Sequence, residues 1–76
     1  MTVKLISREL KTFKENKSQL LKKAEGKFVL IHQDRIIDIF ETEDEGIRAG
    51  YQQLGNTPFL VKEILEKERV AVVGGN

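Results

Sequence analysis

The chain has no cysteine, a single histidine (His32), a single proline (Pro58) and no apolar run approaching membrane-spanning length. Each shortage excludes something. Without cysteine there is no disulfide staple, and one histidine alone makes no His/Cys cluster for a structural metal. A bilayer-crossing helix needs about 20 consecutive apolar residues, and none is present. The opening Met1-Thr2-Val3-Lys4-Leu5-Ile6-Ser7-Arg8-Glu9 is too polar for the core of a signal peptide, so the chain reads as cytoplasmic. Glycine-rich phosphate loops, Ser/His/Asp sets and paired-histidine motifs are also missing. Together with the short length, which leaves little room to enclose a dry pocket, these shortages argue against an enzyme. No catalytic, cofactor-binding or metal-ligating residue is assigned, and no cofactor is expected.

What remains is one small domain of 76 residues. A chain of this size buries roughly 60% of the surface its unfolded form exposes, so the core must hold the fold unaided or with help from oligomerisation. Net charge is only +1, but its distribution is uneven. Residues 1–27 carry eight Lys/Arg against three Glu, and residues 34–45 carry one Arg against six acids. The chain is dipolar along its length.

The expected class is α+β, in the order α-β-β-α-β, with a small mixed sheet of three strands. A fourth segment, Val70–Val73, is either a further strand or an ordered tail. A first helix is expected over about 7–24, where Lys, Leu, Glu and Gln dominate and Leu10, Phe13, Leu20, Leu21 and Ala24 form a stripe. Lys17 interrupts that stripe between Asn16 and Ser18, which suggests a weak point or kink. Gly26 suits the left-handed end of a helix. A hairpin is expected over about 27–41, turning at Gln33-Asp34.

Thr42-Glu43-Asp44-Glu45 is a capping box opening a helix over about 43–54. Its three carboxylates also suit the positive end of the helix dipole, which accounts for them without a cation. Ile47, Gly50, Tyr51 and Leu54 make the apolar stripe, with Gly50 permitting close approach to the sheet. A strand is expected over about 58–64, antiparallel to the first arm of the hairpin if it lies beside it.

With a two-residue turn, one hairpin face holds Phe28, Leu30, Ile37 and Ile39. The other holds Val29, Ile31, Ile36 and Phe40, broken by Asp38. One crossover helix covers only one face. Either the first helix shares that face, leaving Val29, Ile31, Ile36 and Phe40 as a candidate interface, or it covers the second face and completes a three-layer monomer. The leading expectation is therefore a protein–protein interaction or accessory module, homodimeric in one form. A nucleic-acid-binding accessory protein using the basic first helix is the alternative. A small enzyme would need a pocket around His32 or Asp38. The terminal Gly74-Gly75 invites comparison with ubiquitin-like modifiers, but Asn76 follows it and the first helix has no counterpart there, so it reads as an ordinary glycine-rich end.

The segment Glu25-Gly26-Lys27-Phe28-Val29-Leu30-Ile31, with Gly50-Tyr51, Gly55 and Pro58-Phe59-Leu60-Val61, resembles a family of small bacterial and archaeal proteins of unknown function. Its members share an EGK-aromatic-V-x-I start, an acidic-capped helix and a GY…G…PFLV end. The resemblance covers about residues 10–64 and implies the same α-β-β-α-β order. Some relatives are encoded beside retropepsin-like aspartyl proteases, which implies a partner role. The shared motifs are structural and imply no catalytic residue.

Overall fold

The computed structural model describes residues 2–66 and 72–74, with side chains described for 7–66. The elements are α1 (Thr2–Ala24), β1 (Phe28–His32), β2 (Arg35–Phe40), α2 (Glu43–Leu54), β3 (Phe59–Glu63) and β4 (Val72–Gly74). This is the expected α+β order with a fourth strand added. The strands lie in the order β2-β1-β3-β4, and every neighbouring pair is antiparallel. The expected mixed pairing is thus corrected. β2 and β3 do run parallel, but β1 lies between them, and α2 carries the chain across it.

Both faces of the sheet are covered, each by one helix. On one, Val29, Ile31, Leu60 and Ile64 pack with Phe13, Leu20 and Ala24 of α1. On the other, Leu30, Phe59 and Val61 pack with Ala49 of α2. Alternation along β1 and β3 sends successive side chains to opposite faces, so a strand apolar at every position needs a cover on each side. Lys62 of β3 is buried as well, with its ammonium 5.2 Å from the centre of the Phe13 ring.

α1 is longer than expected and runs unbroken through Asn16–Ser18. Lys17 is only half-buried there, and its Nζ donates to the Glu66 carbonyl at 2.8 Å. A long stem reaching a polar partner at the rim lets the helix keep its stripe without a kink. Gly26, at φ +88°, ends the helix turn in a conformation that side chains rarely adopt. Its N–H donates to the Ile64 carbonyl and the Ile64 N–H donates to that of Lys27, both at 2.8 Å.

The hairpin register departs from the simple two-residue expectation. His32 faces Arg35 and Ile31 faces Ile36, but then Leu30 faces Asp38, with Ile37 as an extra residue. This β-bulge exchanges the faces beyond it. Phe40 packs with Ile37 and Phe28 toward α2, whereas Ile39 packs toward α1. The face sets expected from the sequence are therefore corrected at Ile39 and Phe40.

α2 spans Glu43–Leu54 and opens on a complete capping box. The Glu45 N–H donates to Thr42 Oγ1 at 3.2 Å, and Glu45 Oε1 accepts from the Thr42 N–H at 3.3 Å. Its buried stripe is small, made of Gly46, Ala49 and Gly50, with Ile47 and Leu54 flanking. Tyr51, expected inside, is 51% exposed and meets Phe59 edge-on at 5.2 Å. The fourth strand is Val72–Gly74, with Gly74 opposite Phe59, so this glycine is part of the sheet and not a loose end. Residues 70, 71, 75 and 76 lie outside the described residues.

Two substitutions test this packing. A Cβ at Gly50 would stand 2.4 Å from Cε1 of the fully buried Phe59 ring. Gly50→Ala should therefore lose about 1–3 kcal/mol in urea denaturation, although alanine is the better helix former by about 1 kcal/mol. A more stable variant would disprove the close approach. Ile31→Asp places a carboxylate beneath α1 and should abolish the helical circular dichroism signal. A folded Ile31→Asp monomer would show that the residue faces outward.

Candidate functional site

At the end of the sheet where β1 finishes and β3 begins, three segments surround an open polar cavity of about 330 Å³. α1 contributes Ser7, Arg8 and Glu9, the hairpin contributes His32 and Gln33, and the loop before β3 contributes Thr57 and Pro58. These residues are distant in sequence, and periodicity alone gave no reason to group them.

Gln33 is the key to the local geometry. It is the non-glycine residue with positive φ, +56°, among the described residues. Type I′ turns need positive φ at both central positions, and here Asp34 does not share it. α1 holds this unfavourable conformation from both sides. The Gln33 N–H donates to Glu9 Oε2 at 2.7 Å, and Thr12 Oγ1 donates to the Gln33 carbonyl at 2.8 Å. A left-handed residue costs roughly 1–2 kcal/mol, and a hydrogen bond to a charged acceptor contributes a similar amount in return.

Glu9 and Thr12 are therefore buried polar residues with work to do at the turn. Glu9 is only 3% exposed, yet Oε1 is buried and has no hydrogen-bond partner among the described residues. Buried carboxylate oxygens are ordinarily satisfied, so this one stands out. His32 is half-buried, and its Nδ1 lies 3.0 Å from the Pro58 carbonyl. A carbonyl can only accept, so Nδ1 carries the proton in this contact. The cavity thus brings Glu9 and His32 together with Arg8 and Thr57. The described residues contain no group of three or more His, Cys, Asp or Glu able to hold a metal ion.

The four residues expected as an interface do not form one surface. Val29 and Ile31 are fully buried beneath α1, which covers the face opposite α2. Phe40 is half-buried on the α2 side, and Ile36 is 37% exposed. The bulge and the cover by α1 account for this dispersal. Asp38 is exposed and does not line the cavity. Its Oδ1 accepts from the Ile39 N–H at 2.8 Å.

β2 is nevertheless an outer strand, with no neighbour beyond it among the described residues. Four of its six residues are apolar, and none of the six is fully buried. A shallow depression alongside it is lined by residues of β2 and α2, among them Phe40, Glu41, Glu45, Arg48 and Ala49. The charge division seen along the chain also becomes spatial. Exposed Arg8, Lys11, Lys14, Lys22 and Lys23 lie on α1, while Glu43, Asp44 and Glu45 lie on α2 across the sheet. Among the described residues, no helix is long and apolar enough to cross a membrane.

Comparison with family models, curated proteins and solved structures finds no match to this chain.

The turn geometry yields a paired prediction. Glu9→Gln keeps a carbonyl oxygen for the Gln33 N–H and removes a buried charge, so its denaturation midpoint should equal or exceed that of the natural chain. Glu9→Ala leaves that N–H without an acceptor and should lose about 1–3 kcal/mol. Equal losses in both variants would show that the charge itself holds the turn.

Proposed function

We propose that this chain is a protein-interaction module that binds an extended segment of a partner protein along β2. The carrying observation is the outer position of β2: an apolar strand that is paired on one side only. Exposed edges accept added strands through backbone hydrogen bonds, while side-chain pockets confer preference. The depression next to β2 can take an apolar side chain, and of the charges around it Glu41 is already paired with Lys27 at 2.9 Å and Arg48 with Asp44 at 3.1 Å. The Asp38 carboxylate on the Ile39 N–H blunts the free strand, so a partner must displace it.

A second reading is favoured by the basic outer side of α1, which is separated from the α2 acids by the sheet. It makes the module a nucleic-acid-binding accessory protein, with affinity that falls steeply as salt rises.

One experiment separates them. The tagged chain and its Ile36→Lys variant are used for capture at low and high salt, followed by amide exchange on the complex. The β2 reading expects a protein retained at high salt by the natural chain and lost with Ile36→Lys, with exchange slowed across Arg35–Phe40. Self-association lost in the same variant would place a second copy on β2. Retention unaffected by the variant, or nucleic acid released by salt, would overturn the β2 reading.

A further inference from the structure

We propose that β2 pairs with β2 of a second copy of this chain, antiparallel across a two-fold axis, joining the two sheets into one. This rests on the reading of β2 as the docking edge and names its occupant. The backbone of β2 sets the first condition. Residues along an antiparallel strand turn their N–H and C=O groups alternately toward one neighbour and the other. The Ile39 N–H is taken by Asp38 Oδ1 at 2.8 Å, and so lies on the open side of β2. Across the bulge, Ile36 holds the corresponding outward position, one residue beyond the Arg35–His32 pair that closes the hairpin. The strand therefore offers Ile36 and Ile39 to a neighbour, with the extra residue Ile37 between them.

A second copy meets those positions with the same spacing. With the axis between Ile37 and Asp38, Ile36 stands opposite Ile39 of the second copy and Ile39 opposite its Ile36. Each pair then exchanges both backbone hydrogen bonds. A strand without a bulge would fall out of step, because it spans the same positions with one residue fewer. The side chains match as well. Ile36 faces Ile31 within the sheet and Ile39 packs toward α1, so both apolar pairs fall on the α1 face and extend its layer. Ile36, 37% exposed in the single chain, becomes covered. On the α2 face, Arg35 comes diagonal to Asp38 of the second copy, and the axis repeats this contact. Both residues are exposed, and Arg35 makes no ion pair among the described residues. At the ladder ends Asp34 meets Glu41 of the second copy, whose charge Lys27 already holds at 2.9 Å.

The test is the mass of the full chain in sedimentation equilibrium across a range of concentrations, combined with a charge swap at two exposed positions. The natural chain should form a reversible dimer. Hydrogen exchange of the Ile36 amide should slow as concentration rises, while that of Arg35, whose N–H faces β1, stays constant. Arg35→Asp and Asp38→Arg should each weaken the dimer by about tenfold or more, because like charges then meet twice across the axis. Mixing the two variants should restore the dimer, since each supplies the charge that the other has lost. Variants that had merely failed to fold would not recover on mixing. The proposal is overturned by a natural chain that stays monomeric, by a dimer that both variants leave unchanged, or by a loss that mixing does not restore. The fate of the β2 reading is separate. A monomeric chain that still captures a protein along Arg35–Phe40, and loses it with Ile36→Lys, keeps that reading and removes only the second copy.

Discussion

Everything in this small domain depends on β1 and β3 being apolar on both faces. Val29, Leu30, Ile31, Leu60 and Val61 are essentially without exposure, and they point alternately to opposite sides of the sheet. Each such side chain stabilises the fold by roughly 1.5–3 kcal/mol when removed from water, which a chain of this size cannot forgo. Two helices are therefore required. α2 approaches through Gly46, Ala49 and Gly50, small enough for the Phe59 ring to sit directly against its backbone. α1 covers the opposite face with the larger Phe13 and Leu20.

That division has an electrostatic consequence. Because the basic helix and the acid-capped helix lie on opposite sides of the sheet, the two charge sets are held apart by an apolar layer. β2 and β4 are the outer strands of the sheet, and β2 lies at the margin of both layers. Its bulge turns Ile39 toward α1 and Phe40 toward α2, and leaves Ile36 at the surface.

The cavity arises from the same architecture. Holding Gln33 at positive φ requires both of its backbone polar groups to be met from α1, which draws Glu9 and Thr12 into the interior. A carboxylate has two oxygens and the turn uses one. The second is buried and has no hydrogen-bond partner among the described residues.

Much of the fold was legible in the chain. Local signals are dictated by neighbours in sequence, so the capping box at Thr42–Glu45, the left-handed Gly26, the contact forced by Gly50 and the α-β-β-α-β order could all be read directly. Long-range choices could not. A single extra residue, Ile37, shifts the register by one, and because strand side chains alternate this moves Ile39 and Phe40 to new faces. Which face α1 covers depends on packing against β3, whose position beside β1 follows from the crossover of α2. The cavity was the least legible feature of all. Glu9, His32 and Pro58 are separated by more than twenty residues at each step, and only the folded chain brings a carboxylate, an imidazole and a carbonyl to one place. Sequence determined which elements form and how they end, because those depend on local propensities and hydrogen bonds. Tertiary structure alone decided which side chains share a surface, because that depends on register and on the order of strands.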